Sequence, residues 1–271
     1  MFSWWQRNRR RRNRQTPFPT GWRDHVEGNV PMFRHLKPDQ QIELIGHIKV
    51  FLAEKHFEGC GGLELTDEMR VTIAAQACLL LMHRDTDYYA RLKTILIYPS
   101  TYFGLSSEND QNSESRLGES WEAGVVVLAW DSVLHGTQNL HDGHNLVLHE
   151  FSHQLDQEDG VADGLPVLRL KGDSLIESRG RYAAWATVFT REFERLVEHS
   201  RRGKKTIMDH YGATHPAEFF AVATECFFEK AGQMKRTHPK LYAELKRYYH
   251  LDPAPWETHR YRTPRKAKAD D

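Results

Sequence analysis

The sequence predicts an α+β fold: a helical N-terminal part, a small sheet, one helix carrying the candidate chemistry, and a mainly helical C-terminal part. Apolar residues recur at helical spacing on either side of residues 93–130 but not inside that window. Within it lie two short runs rich in β-branched residues, KTILIY at 93–98 and GVVVLAW at 124–130. The run HNLVLHEFSHQLD follows, with apolar residues Leu146, Val147, Leu148, Phe151 and Leu155 able to bury a helix that carries His149 and His153.

Residues 1–20 hold a dense basic run of Arg7, Arg9, Arg10, Arg11, Arg12 and Arg14. Phe2, Trp4 and Trp5 precede it and are too few for a signal-peptide core. Such a segment is expected to be a disordered, solvated tail. The functional alternatives are a contact with an anionic membrane or a nucleic-acid arm. Residues 21–262 read as a single domain with a helical N-terminal subdomain, and residues 263–271 as a second disordered tail.

From 38 to 57, Ile42, Ile45, Ile48 and Leu52 fall at helical spacing. A second helix is expected after Thr66, a good N-cap, running through Val71, Ile73, Ala74, Ala77, Leu80 and Leu81. It is apolar on most sides and should be buried. His47, His56 and His83 read as structural or surface histidines. The strand at 93–98 is closed by Pro99. Residues 104–120, rich in Ser, Glu, Asp and Asn, read as a loop or poorly ordered insertion. The strand at 124–130 is either a plain core strand or an edge able to pair with an extended peptide.

After the His149 helix, Gly160, Gly164 and Pro166 mark turns. Asp156, Glu158, Asp159 and Asp163 do not fit an EF-hand calcium loop. Residues 181–202 read as a long helix with Ala184, Trp185, Val188, Phe189 and Leu196 on one side. The string THPAEFFAVATECFFEKA forms another, with Pro216 in its first turn, and residues 240–249 a last short one.

The 37 basic residues balance the 37 acidic ones, so net charge offers no argument for specific nucleic-acid binding. Cys60, Cys78 and Cys226 are odd in number and far apart, which argues against a disulfide framework and for a reducing cytoplasm. No apolar run is long enough for a transmembrane segment.

The string His149-Glu150-Phe151-Ser152-His153 has the pattern His-Glu-x-x-His. Residues four apart on a helix share a face, so the two imidazoles can converge on one metal ion, for which Zn²⁺ is the natural choice. Glu150 can then reach a water on that metal and act as general base. The plain alternative is a surface helix with two histidines. A catalytic zinc site needs a third protein ligand and an open position. The metzincin continuation would require glycine at 156 and histidine at 159, where the chain has Asp156 and Asp159. That leaves His199, His210, His215, Glu218 and Glu225. Glu218 is the strongest, because an ionised carboxylate in so apolar a helix is costly unless paired or metal-bound. The helix N-terminus alone could also hold it. Glu225, seven residues on, shares its face and could accept a hydrogen bond from a ligand imidazole. Asp156 shares the face of both histidines and is expected to orient an imidazole or a neighbouring backbone.

These strings, with ELTDEMRVTIAAQACLLL, LIYPS, GESWEAGVVVLAWD and DGVADGLP, resemble the Mlc titration factor A family of bacterial zinc peptidases in order and spacing. The segment YGATHPAEFF is similar to the zinc site of the anthrax lethal factor peptidase domain. There the glutamate of AEFF is the third ligand and the tyrosine seven residues earlier faces the metal. In this chain those residues are Glu218 and Tyr211. The resemblance implies a zincin-like metallopeptidase fold of the gluzincin kind, with Zn²⁺ on His149, His153 and Glu218. It implies catalysis by Glu150 and Tyr211, the phenol of Tyr211 stabilising an oxyanion. It further implies a cytoplasmic, aminopeptidase-like enzyme acting on peptide substrates. Enterobacterial members also bind the repressor Mlc, which makes an Mlc-like transcriptional regulator a candidate partner. The competing reading is a regulator-sequestering protein with a structural zinc, although a structural site has no need of Glu150. The basic tail and residues 104–120 match no family motif.

Overall fold

The computed structural model describes residues 4–100, 124–168 and 173–258. The stretch expected to be a loop at 104–120 and the tail expected at 263–271 lie outside the described residues.

The expectation of a solvated tail over residues 1–20 is corrected for the described residues 4–20. Trp4–Gln15 form helix α1 and residues Thr20–Asn29 form α2, which the periodicity did not reveal. Helix α1 packs on α3, Pro38–Glu54. The cause is charge pairing over long sequence distance. Arg10 is buried, and its guanidinium makes a two-pronged contact with Glu54 at 2.9 and 2.8 Å and reaches Asp87 at 2.9 Å. Arg14 donates to the Tyr88 hydroxyl at 2.7 Å, and Lys49 donates to the Thr16 carbonyl at 2.7 Å. Bidentate guanidinium–carboxylate pairs are among the stronger side-chain bonds. Losing one partner of such a buried pair costs about 3–5 kcal/mol, because the other charge is stranded.

Helix α3 buries Leu44, His47, Ile48 and Phe51 and leaves Ile42 exposed, so its inner face is turned from the stripe the isoleucines suggested. It leads into β1, His56–Gly59. Helix α4, Asp67–Leu79, begins as expected: the Thr66 side chain accepts from Met69 N at 3.2 Å, and Asp67 and Glu68 sit in the first turn. Strands β2, Thr94–Tyr98, and β3, Val125–Ala129, complete a parallel sheet of order β1-β2-β3. Its register pairs His56 with Thr94 and Thr94 with Val125. Parallel neighbours need a crossover, and α4 lies in the connection between β1 and β2. Among the described residues β3 is an edge strand.

Strand β3 runs straight into α5, Trp130–Gln138, and a short turn brings the chain to α6, Leu146–Asp156. Helix α7, Leu175–Arg201, starts earlier than its apolar face suggests, because Ser174 and Glu177 form a capping box. Then come α8, Pro216–Glu229; α9, Ala231–Thr237; and α10, Pro239–Tyr249. Helix α6 packs chiefly on α8 and also on α4, α5 and β3. The sheet and α4 therefore support the helix that carries the histidines, and α8 faces it. Trp185 stacks on Phe189 at 3.8 Å and meets Phe220 and Tyr248 edge-on, which fixes α7 and α10 against α8.

Candidate metal centre

Helix α6 is held at its N-terminus by Asn145, whose side chain accepts from Leu148 N at 3.0 Å. One turn along, the rings of His149 and His153 lie 4.9 Å apart at 75°. Their Nε2 atoms are 3.2 Å apart. From α8, Glu218 brings Oε2 to 3.1 Å from the first and 3.4 Å from the second. Donors held about 2.0–2.1 Å from a tetrahedral zinc stand roughly 3.3–3.4 Å from one another. The triangle of 3.1, 3.2 and 3.4 Å has that size. Among the described residues this is the only group of His, Cys, Asp or Glu with its donor atoms so clustered. Two imidazole nitrogens at 3.2 Å cannot both point a proton at each other, so a cation shared between them suits the arrangement.

The electrostatics favour positive charge here. Burial opposes a charge on His149, but hydrogen bonds to Glu218 and Glu225 outweigh it and hold the imidazole well above its ordinary value. Burial likewise raises Glu218, yet its bonds with His149 and His153 pull the carboxyl down to about 2.

Glu225 is placed where the helix face put it. Its Oε1 accepts from His149 Nδ1 at 2.7 Å, and its Oε2 from the backbone N of Asn145 at 2.5 Å. A proton kept on Nδ1 leaves the Nε2 lone pair facing Glu218, the tautomer a metal requires. Asn145 extends the network: its Nδ2 donates to Gln76 Oε1 at 2.8 Å and to Glu229 Oε1 at 3.1 Å. Burial, with Glu225 nearby, pushes the Glu229 carboxyl up to about 8.

Asp156 makes the backbone contact rather than the imidazole contact. It is fully buried and its Oδ2 accepts from Gly164 N at 2.9 Å; no hydrogen bond from it reaches either histidine. Burial pushes this carboxyl up to about 7. Gly164 then ties three elements together. Its carbonyl accepts from Trp185 Nε1 at 3.0 Å, and a Cβ on it would stand 2.5 Å from the Pro216 carbonyl oxygen. With φ at +76° and the first residue of α8 pressed against it, only glycine fits. The loop so held, on the way from α6 to α7, presses against Pro216, two residues before Glu218 in the first turn of α8.

Glu150 is buried but lines a cavity of about 600 Å³ together with His149, Tyr211, Glu218, Val222 and Glu225. Tyr211 sits on a 3-10 turn, His210–Ala213, capped by Asp209, with its ring 6.2 Å from that of His149. It is 41 % exposed and faces the cavity. The other ligand candidates are engaged elsewhere or distant. His210 bonds the Lys204 carbonyl at 2.9 Å, His215 caps α8 through Ala217 N, and His199 lies outside the cluster. His47 and His83 are structural, bonded to Tyr88 and to Glu43.

Asn145, Gln76 and Glu229 were missed by sequence reasoning, as were Ser132, His135, His144 and Asp209 at the cavity wall. Asn145 alone left a signal, as an N-cap residue directly before an apolar run.

Comparison with known proteins agrees with this geometry. A family model described as glucose-regulated metallo-peptidase M90 matches residues 2–250. An uncharacterised protein of Synechocystis sp. is 39% identical over 246 residues, 88% of this chain and 86% of the relative. Proteins named Mlc titration factor A from Yersinia pestis and Yersinia pseudotuberculosis are each 28% identical over 240 residues, 84% of either chain.

Proposed function

Because the chain belongs to the glucose-regulated metallo-peptidase family M90, we propose that it is a zinc-dependent peptidase of aminopeptidase-like character. The observation that carries this reading is the triangle of His149, His153 and Glu218 donor atoms at tetrahedral spacing beside an open cavity. Two imidazoles and a carboxylate form a donor set that suits zinc. Zinc held there would supply a water acidified towards about pH 7 and a Lewis acid for a carbonyl oxygen.

The chain's own residues do the rest. Glu150, at the cavity wall, takes a proton from the attacking water and later gives it to the leaving amine. The Tyr211 phenol donates to the oxyanion that forms on the scissile carbonyl. Glu225 holds His149 in the required tautomer and orientation. Asp209, Glu150, Glu218 and Glu225 make the cavity wall acidic, which favours the ammonium of a peptide N-terminus.

A structural zinc in a regulator-sequestering protein is the weaker reading. Structural sites are closed by four protein ligands, and among the described residues this cluster offers three beside a cavity. The Yersinia relatives carry Mlc in their name. An Mlc-like transcriptional regulator is accordingly the macromolecular partner proposed here, next to peptide substrates. A reducing cytoplasmic setting is proposed on the odd number and wide spacing of Cys60, Cys78 and Cys226.

Metal content tests the reading. Wild-type protein should hold about one zinc per chain, and the His149→Ala/His153→Ala double variant should lose nearly all of it. Undiminished zinc in the double variant would refute the assignment.

A further inference from the structure

Helix α1 divides the arginine run into two sets. Arg9, Arg10 and Arg14 bond to the protein body, through Glu54, Asp87 and Tyr88. Arg7, Arg11 and Arg12 are exposed and, among the described residues, make no hydrogen bond or ion pair. At 3.6 residues per turn, Gln6, Arg10 and Asn13 fall on one face and Trp4, Arg11 and Arg12 on the opposite one, with Arg7 and Arg14 at the border, where Arg14 reaches back to Tyr88 and Arg7, two turns earlier, makes no such contact. Trp4 and Trp5 are 60 % and 74 % exposed, packed only edge-to-face on each other at 5.0 Å. A cationic face with two large aromatic rings at its end is therefore held outward by an anchored helix.

We propose that this face of α1, formed by Trp4, Trp5, Arg7, Arg11 and Arg12, docks on an anionic lipid surface. Guanidinium groups complement the negative charge of anionic headgroups. Tryptophan is the side chain that prefers the boundary between headgroups and acyl chains. An amphipathic helix lying in the interface plane uses both together. Among the described residues no helix is long and apolar enough to cross a membrane, so the contact is peripheral. Nucleic acid fits less well. The tryptophans sit side by side at one helix end rather than spaced along a groove for stacking bases. The inference is independent of the chemistry at His149.

Co-sedimentation of the full chain with vesicles tests it, comparing phosphatidylglycerol mixed into phosphatidylcholine with phosphatidylcholine alone. Wild type should pellet with the anionic vesicles at low salt and be released by high salt. Each arginine near such a surface contributes about fivefold, so Arg7→Gln/Arg11→Gln/Arg12→Gln should weaken partitioning on the order of 100-fold. These side chains are exposed and Arg10 is untouched, so the variant should melt as wild type does. Brominated lipid should quench the fluorescence of wild type more than that of the Trp4→Ala/Trp5→Ala variant. The proposal is overturned if anionic vesicles bind no better than neutral ones, if the triple variant binds as wild type, or if a short oligonucleotide binds through these arginines while vesicles do not.

Discussion

Replacing Glu225 by alanine removes two short hydrogen bonds at once, from His149 Nδ1 at 2.7 Å and from Asn145 N at 2.5 Å. The first loss frees the imidazole to turn and to change tautomer. A carboxylate that holds a ligand imidazole in this way is worth about 10–100-fold in metal affinity, roughly 1.4–2.7 kcal/mol. The second loss leaves the Asn145 N–H buried without its acceptor, at a cost of about 1–3 kcal/mol. In a domain of this size that lowers the melting temperature by several degrees, at about 2–4 °C per kcal/mol. Glu218→Ala is the contrast, since it removes one corner of the donor triangle and should abolish zinc binding. Glu225→Gln should fall between, because its one amide oxygen can take the place of only one of the two carboxylate oxygens and its NH2 then faces the other donor. A chelator-competition titration of the variants, with melting curves of the metal-free proteins, reads both effects. If Glu225→Ala releases zinc as completely as Glu218→Ala, or binds it like wild type, the division of labour between the two carboxylates is wrong.

Tyr211→Phe should retain zinc and lower kcat by about 10²–10³-fold with little change in KM, the usual loss for one oxyanion donor; unchanged turnover would remove Tyr211 from the chemistry. Asp156 and Glu229 hold their protons up to about 7 and about 8, from ordinary values of 3.8 and 4.5. A carboxyl whose folded value is raised stabilises the fold fully below its unfolded value and loses that contribution as pH rises through the folded one. The metal-free protein should therefore weaken in urea as pH rises from about 5 to about 9, with His149 acting in the same direction. Asp156→Asn combined with Glu229→Gln should flatten most of that slope, and an equal slope in the double variant would show that other groups cause it.

The parts of the site written in one helix were legible in the sequence. His149 and His153 follow from a spacing of four on one turn; Glu218 stands out as a carboxylate in an apolar helix, and Glu225 by its spacing of seven from it. For Asp156, whether it bonds an imidazole or a backbone depends on the loop at Gly164, whose position no local pattern specifies. The network through Gln76, Asn145 and Glu229 was illegible because its members lie 69 and 84 residues apart. Strand β1 was hidden for another reason: His56–Gly59 is short and half exposed, and becomes a strand only by pairing with β2. The N-terminal arginines read as a solvated tail because their partners Glu54 and Asp87 are 44 and 77 residues away. A charge run is disordered by default only until the fold supplies counter-charges.

Glu150→Gln tests the central claim most directly, because it removes the proposed base and leaves His149, His153 and Glu218 intact. Wild type and variant should be compared for zinc stoichiometry and for single-turnover cleavage of a peptide library. Zinc should be equal in both, and cleavage should fall by several orders of magnitude in the variant. Cleavage by the variant at the wild-type rate would contradict that claim.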